Sequence, residues 1–159
     1  MSFFNTYIGK ILMTFFISMV PIIELRGAIP IGVGMGLRPW IAIGVSIIGN
    51  LVPVPFIIIF IKKIFSWLRS INKKLDSFVT RLEKRAQAKS VTVQKFAFWG
   101  LFMLVAIPLP GTGAWTGALV AALLEMRLKK ALPAIILGVF TAGVIVSFVT
   151  YGAGALLFS

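Results

Sequence analysis

Two ionisable side chains stand in the middle of an apolar stretch, within the segment Glu24-Leu-Arg-Gly-Ala-Ile-Pro30. Between Ile11 and Leu37 the chain has no other ionisable residue. A charge at bilayer depth costs about 2.5–3.5 kcal/mol on insertion scales, so Glu24 and Arg26 are candidates for function. A carboxylate in such a place can load and release a proton, and a guanidinium offers a planar donor fork for phosphate or carboxylate groups. The alternative is a buried ion pair that only holds a turn together.

A second interruption, Pro108-Leu-Pro-Gly-Thr-Gly113, breaks the other long apolar segment and is followed by Trp115. Glycine permits turns and close backbone approach, and proline fits the first turn of a helix. We therefore expect Gly27 and Pro30 to begin one returning helix and Thr112 to cap another. The predicted binding or coupling site joins both interruptions with one polar residue between them: Glu24, Arg26, Gly27, Pro30, Asn50, Pro108, Pro110, Gly111, Thr112, Gly113 and Trp115.

The composition is that of an integral membrane protein. Of 159 residues, 59% are hydrophobic, whereas soluble domains lie near 45–50%. The chain has no Cys and no His and only four acidic residues, so we expect no metal site, no cofactor and no enzyme activity. The net charge of +12 comes mainly from a basic block over residues 62–95. We attribute this block to the positive-inside rule and to anionic lipid headgroups, not to nucleic acid.

Segment lengths predict the architecture. Segments 39–61 and 131–152 suit single transmembrane helices, which need about 20 residues. Segments 11–37 and 96–124 are too long for one span and too short for two, and each is broken near its middle. We predict that they are re-entrant hairpins, whose irregular tips must be surrounded by protein or line a cavity. The fold class is thus all-α.

The charges predict an inverted repeat. With two hairpins, Lys10 and Arg38 lie on one face of the membrane and most other basic residues lie on the opposite, cytoplasmic face. The halves, 1–61 and 96–159, then have opposite orientations, and both termini are extracytoplasmic. A weak internal match pairs Pro21 with Pro108 and, after a two-residue insertion, Arg38 with Arg127 and Gly49 with Gly138.

The segment between the halves, residues 62–95, has apolar residues at three- and four-residue spacing and basic residues elsewhere. This pattern predicts an amphipathic helix at the cytoplasmic interface, continuing from segment 39–61 and bound to anionic headgroups. A homodimer is a further expectation, because so small a bundle does not readily close a cavity alone.

Both motifs, Glu24–Pro30 and Pro108–Trp115, resemble those of the small multidrug export protein family of prokaryotes, over nearly the whole chain. That family is similar to the DedA superfamily of VTT-domain membrane proteins. The resemblance implies two facing hairpins in a prokaryotic plasma membrane and transport of lipids, including polyprenyl phosphates, with functional positions at Glu24 and Arg26. The second motif lacks the arginine that DedA proteins usually have there.

Three functions follow as expectations. The first is a proton-coupled transporter or flippase for an anionic substrate such as a lipid or polyprenyl phosphate, held between two helix N-termini near the midplane. The second is a proton-coupled multidrug exporter of cationic compounds, with Glu24 facing the cavity and Trp115 stacking on the ligand. The third is a membrane scaffold without transport, in which Glu24 and Arg26 pair only with each other.

Overall fold

The structure, a computed structural model, describes residues 6–88, 90–109 and 111–158. Within these ranges it is helical and contains no strand. In chain order the helices are α1 (Tyr7–Met19), α2 (Glu24–Gly34), α3 (Pro39–Leu51), α4 (Pro53–Ile71), α5 (Lys73–Ala88), α6 (Ser90–Ala106), α7 (Ala114–Leu123) and α8 (Leu128–Phe158).

Both predicted hairpin segments consist of two short helices separated by a break. In the first segment α1 has 13 residues and α2 has 11, so at 1.5 Å per residue they are about 20 and 16 Å long. A hydrocarbon core is about 30 Å thick, so neither helix could cross it alone. In the second segment α6 begins at Ser90, before the predicted start at residue 96, and α7 has 10 residues.

The expected continuous basic helix over 62–95 is divided in the structure. α4 continues past residue 61 to Ile71 and therefore contains the first basic residues. At Asn72 the backbone is extended, and its side-chain oxygen accepts a hydrogen bond of 3.1 Å from the Lys74 amide. Asparagine forms such local bonds readily, so it ends α4 and starts α5. The last part of the basic block forms the beginning of α6.

Proline also interrupts the predicted span 39–61. α3 ends at Leu51 and α4 begins with Pro53, which has no amide hydrogen to donate to the preceding turn. Val52, between them, keeps α-helical dihedral angles of φ −55° and ψ −47°. The chain therefore passes from α3 into α4 without a turn, and the two helices form one continuous apolar stretch.

Two stretches are long and apolar enough to cross a membrane, Pro39–Ile71 and Leu128–Gly152. Only 33% and 39% of their most apolar windows are buried inside the protein, so most of this surface is exposed. Phe56, Phe60, Phe148 and Val149 are each more than 60% exposed. Apolar surface of this extent requires lipid, and the protein is a membrane protein.

Packing brings the two halves together. In the first half α1, α2 and α3 pack on one another, and in the second half α6, α7 and α8 do the same. The halves meet where α2 packs against α8 and α7 packs against α4. The buried core consists of side chains from both halves, including Leu25, Ile29, Val105 and Ile135. The breaks of the two hairpins consequently face each other.

Candidate functional site

The first break is residues 20–23, and we call this break together with the start of α2, residues 20–26, the first tip. Two residues without the freedom of glycine have positive φ here, Ile22 at 83° and Glu24 at 49°. Such angles are costly for a β-branched residue, and strained backbone concentrates at functional sites. The turn therefore precedes the residues expected to make it. Gly27 and Pro30 lie inside α2, which begins at Glu24, so their predicted place at the start of the returning helix is wrong.

Pro30 nevertheless affects the site. Because it has no amide hydrogen, the Arg26 carbonyl lacks its usual helical donor. Gly27 allows close packing, since a Cβ built there would lie 2.5 Å from the Ile23 side chain. The amides at the start of α2 are already used: Glu24 N donates to the Val20 carbonyl at 3.0 Å and Gly27 N to the Ile23 carbonyl at 3.0 Å.

Glu24 reaches into the opposite hairpin. Its side chain is 3% exposed, and its Oε1 accepts a hydrogen bond of 3.1 Å from the Trp115 backbone amide. Trp115 is the second residue of α7, a helix whose N-cap, Gly113, supplies no side-chain cap. A carboxylate at a helix N-terminus satisfies a free N–H and complements the helix dipole. Glu24 is thus the cap of α7 and occupies the place predicted for a substrate anion.

Arg26 binds the other side of the same break. Its guanidinium donates to the carbonyl oxygens of Leu109 and Ile107, just beyond the end of α6, and lies 2.9 Å from the Thr112 hydroxyl oxygen. Cations are favoured at helix C-termini, where carbonyl groups lack partners. The two charges of the first tip therefore match the two helix ends of the second, and neither side chain is the hydrogen-bond partner of the other.

Thr112 has a different role from the predicted one. It is not the N-cap of α7, since Gly113 holds that position. Its hydroxyl oxygen lies 2.8 Å from each of the carbonyl oxygens of Ile107 and Leu109, and it accepts from the Leu109 amide at 3.3 Å. Thr112 thus folds the second tip, residues 107–113, back on itself and presents its carbonyl groups to Arg26.

Trp115 completes a reciprocal set of contacts. Its indole N–H donates a hydrogen bond of 3.1 Å to the carbonyl of Met19, which is the last residue of α1. The returning helices α2 and α7 therefore each send a donor, Arg26 or Trp115, to the carbonyl groups at the end of the incoming helix of the other half. We call the contacts of Glu24 with Trp115, of Arg26 with residues 107–112, and of Trp115 with Met19 the tip interlock.

The glycines of the second tip allow this close approach. Gly113 has φ 129°, and a Cβ built on it would overlap the Glu24 carboxylate. Gly111, at φ 81°, is exposed and has open space around it, and Pro108 is half-buried beside it. Pro110, a predicted site residue, lies outside the described residues.

Asn50 belongs to a buried polar cluster between α1 and α3. Its side chain is 1% exposed, and its Oδ1 has no hydrogen-bond partner among the described residues. Ser46 Oγ, one turn earlier on α3, is also buried without a hydrogen-bond partner among the described residues. Across the interface lie Thr14 and Ser18 of α1, both fully buried.

An apolar groove runs along the lipid-facing side of the interlock. Its volume is about 630 Å³, and its lining includes Phe56, Phe60, Lys63, Trp115 and Leu119. Trp115, which sequence reasoning placed at a cavity wall, thus belongs to both the groove and the interlock. Among the described residues no group of three or more His, Cys, Asp or Glu side chains is placed to hold a metal ion.

Sequence reasoning missed the partners of the charged pair. Most of these are backbone groups: the carbonyls of Ile107 and Leu109 for Arg26 and the amide of Trp115 for Glu24. The available signal was the break itself, because a broken helix must expose free carbonyl and amide groups at its two ends. Ser18 and Ser46 were also missed, although both are polar residues inside apolar segments.

The family model described as "Putative small multi-drug export protein" matches residues 24–145, which include Glu24, Arg26, the second tip and the whole interlock except Met19. No curated protein and no solved structure matches the chain.

Proposed function

This chain belongs to the small multidrug export protein family, and we propose that it is a membrane transporter that exports small lipophilic compounds, cations among them, by proton coupling. The observation that carries the proposal is the tip interlock. Buried Glu24 and half-buried Arg26 bind the broken backbone of the other half, where they hold the two breaks together. Broken helices in corresponding positions of two halves are the best pointer to a transporter site.

The architecture that we propose is an inverted repeat of two re-entrant hairpins. Packing contacts support it. A Cβ on Gly49 would overlap Ser18 Oγ and lie 2.6 Å from the Phe15 carbonyl, and a Cβ on Gly138 would lie 2.7 Å from Val105 and 3.1 Å from the Phe102 carbonyl. The same glycine thus packs on the same two positions of the facing helix in each half. In such repeats one half rocks against the other around a fixed site.

Glu24 is the coupling residue in this mechanism. As a carboxylate it caps α7 through a charge-assisted hydrogen bond, which is stronger than a bond between neutral groups. A proton on Glu24 removes that charge, weakens the cap and allows α7 to separate from α2. Release of the proton on the other side restores the closed interlock, so each cycle moves a proton in exchange for substrate.

The apolar groove between α4 and α7 fits the substrate class of the family name. It presents the aromatic faces of Phe56, Phe60 and Trp115 to lipid. Aromatic faces attract organic cations as well as apolar rings. Since Trp115 also donates to Met19, a compound that displaces its indole would disturb the interlock directly.

A second candidate is transport of an anionic substrate such as a lipid or polyprenyl phosphate, as the resemblance to DedA proteins implies. One observation favours it: Arg26 Nε is buried and has no acceptor among the described residues. A phosphate oxygen would supply that acceptor. In this mechanism the anion competes with the carbonyl groups of the second tip for Arg26 and releases them.

We further propose a prokaryotic plasma membrane as its location, with the basic end of α4 and α5 on the cytoplasmic side among anionic headgroups. Lys73, Lys74 and Arg81 share a surface pocket of α5 with Phe78, which is 60% exposed. Basic and aromatic side chains together are typical of an interfacial helix. A homodimer would cover part of the exposed apolar surface.

The test uses purified protein in liposomes with an imposed pH gradient. Transport of a cationic dye and of a labelled polyprenyl phosphate is followed for wild type, Glu24→Gln and Arg26→Ala. We expect gradient-driven dye export in wild type and at least about a hundredfold loss in Glu24→Gln, within the range for a lost proton-transfer group. Phosphate transport that depends on Arg26 would favour the second candidate instead.

The matched control is Glu125→Gln, which neutralises an exposed carboxylate in the turn between α7 and α8. It should leave both rates unchanged. If neither compound moves in wild type, or if both tip variants behave like wild type, the chain is not a transporter of this kind. A membrane scaffold without transport would then remain, but with Glu24 and Arg26 bound to the second half and not, as expected for a scaffold, to each other.

A further inference from the structure

Close packing on Gly32 and Gly49 accounts for the small size of Thr14 and Ser18 in the buried polar cluster of the first half, but not for its polarity. Thr14, Ser18, Ser46 and Asn50 are each at most 1% exposed, in a segment surrounded by apolar side chains. Hydroxyls in apolar helices usually donate to a carbonyl one turn earlier. Several described residues do so, each on its own helix: Thr14, Ser18, Thr141, Ser147 and Thr150.

Ser46 and Asn50 depart from that pattern. Neither Ser46 Oγ nor Asn50 Oδ1 has a hydrogen-bond partner among the described residues. A buried polar group without a partner costs about 1–3 kcal/mol, and native proteins keep few of them. Residues four apart on a helix have Cβ atoms about 5–6 Å apart, a gap that one bridging water can span.

The second half shows what packing alone requires. The matches of Pro21 with Pro108 and Gly49 with Gly138 place the four polar residues opposite four apolar ones: Leu101, Val105, Ile135 and Val139. All four are at most 2% exposed. At these equivalent positions the α6–α8 interface has apolar side chains and the α1–α3 interface has polar ones. Helix packing therefore does not require polar side chains there, and we look for another role.

The cluster leads to Glu24. A Cβ on Gly32 would lie within 3.2 Å of both Thr14 and Ala42, which sets α1, α2 and α3 at one level. From there eight residues along α3 (42 to 50) and eight back along α2 (32 to 24) both cover about 12 Å. Asn50 and Glu24 thus lie at the same depth on neighbouring helices. At the opposite end, a Cβ on Gly36 would lie 3.7 Å from Lys10 Nζ.

We propose that Thr14, Ser18, Ser46 and Asn50 hold a file of water molecules along the α1–α3 interface that conducts protons between the Lys10 end of the first half and Glu24. This rests on the proposed proton coupling. At each step one O–H bond forms as another breaks, so a proton entering at Lys10 delivers one to a Glu24 oxygen. Neutral hydroxyl and amide groups suit water, whereas a bound cation would need a carboxylate that the cluster lacks.

Other ionisable groups are few near this route. Arg26, on α2, lies closest to Glu24 in sequence and is held by the second tip. α3 and α7 have no ionisable side chain. The remaining ones on the packed helices are Tyr7, Lys10, Lys62, Lys63, Arg69, Lys129, Lys130 and Tyr151, and Arg38 precedes α3 at the Lys10 end. The route therefore leads to a single titrating carboxylate.

The first test measures water directly. The chain has no Cys, so the S–H infrared band of a single Ser46→Cys variant has no background. On transfer to D2O we expect its S–H to exchange at least about tenfold faster than that of Ile135→Cys, the equivalent position in the dry interface, since exchange needs contact with water. Equal exchange at the two positions would overturn the water file, whether or not the protein transports anything.

The second test separates conduction from packing. The double variant Ser46→Ala, Asn50→Val removes both unpaired polar groups, so its melting temperature should equal or exceed that of wild type. Its gradient-driven export in liposomes should fall at least about tenfold, as expected when a proton path is lost. The single variant Ser46→Thr keeps the hydroxyl and should export at the wild-type rate. Ser147 donates its hydroxyl hydrogen to the Gly143 carbonyl of its own helix, so Ser147→Ala should leave the export rate unchanged.

The outcomes distinguish the two proposals. A double variant that exports at the wild-type rate contradicts the water file but leaves the transporter proposal intact. A wild type that moves no substrate contradicts the transporter proposal, and the S–H exchange still decides whether the interface holds water.

Discussion

At the residue scale, the site is organised by complementarity between side-chain charge and broken backbone. A break in a membrane helix leaves a partial positive charge at one helix end and a partial negative charge at the other. Glu24 and Arg26 supply the opposite charges in the required places, at α7 and at the end of α6. The cost of burying Glu24 and half-burying Arg26 is thereby offset by the unpaired backbone groups that they satisfy.

Gly113→Ala tests this complementarity. A Cβ at residue 113 would overlap the Glu24 carboxylate, and φ 129° is unfavourable for alanine. We expect the melting temperature in detergent to fall by several degrees, corresponding to roughly 1–3 kcal/mol. Intrinsic tryptophan fluorescence would follow the loss, since Trp115 is part of the interlock.

Gly111→Ala is the matched control, because φ 81° is also positive there but nothing lies within 4 Å of the added carbon. Its effect should be the smaller of the two. Glu24→Asp, which shortens the carboxylate, should recover part of the stability lost in Gly113→Ala. Equal losses for both alanine variants and no recovery would show that the carboxylate does not lie against Gly113.

At the element scale, the sequence predicted the kind of each element better than its boundaries. Segment length and charge predicted two broken segments and two long apolar helices, and the structure has both. Helix starts were less predictable, because they depend on local geometry that composition does not report. Pro30 is typical of a first turn but lies inside α2, since the strained turn at Ile22 and Glu24 starts the helix earlier.

The candidate site, too, could be predicted from the sequence only in part. Glu24, Arg26 and Trp115 could be singled out because a charge or an indole at a break is costly in lipid. Their partners could not, because a backbone carbonyl has no sequence signature. Glu24 caps the N-terminus of α7, so this helix end is not free to bind a substrate anion. This contact depends on how closely the two halves approach, which no local sequence pattern encodes.

Gly138→Ala tests the packing of α6 on α8. An added Cβ would lie 2.7 Å from Val105 Cβ and 3.1 Å from the Phe102 carbonyl, so the helices must move apart. Overpacking of this kind typically costs about 1–3 kcal/mol, and the melting temperature should fall accordingly. Gly44→Ala, with nothing within 4 Å, should be neutral or stabilising because alanine favours helix by about 1 kcal/mol. A neutral Gly138→Ala would contradict the close approach of α6 and α8.

At the scale of the whole molecule, the two halves are alike in packing and unlike in polarity. Each half sets a glycine of its long helix against the same positions of its incoming helix. Among the described residues, the buried polar and charged side chains all belong to the first half: Glu24 after its break, and Thr14, Ser18, Ser46 and Asn50 on its helices. In the inverted repeat that we propose, water in the first half alone would give a proton path that opens to one side only, which is the asymmetry that coupled transport requires.

The last prediction concerns the orientation of the first half in the membrane. Lys10 and Arg38 lie at the same end of the first half, one in α1 and one just before α3. In single-cysteine variants of intact cells, we expect positions 10 and 38 to react with an impermeant maleimide from outside. Positions 73 and 130, in the basic face, should react only after permeabilisation, because basic segments remain cytoplasmic. Labelling of positions 10 and 38 from opposite sides would mean that α1 and α2 together cross the membrane, and the first hairpin could not be re-entrant.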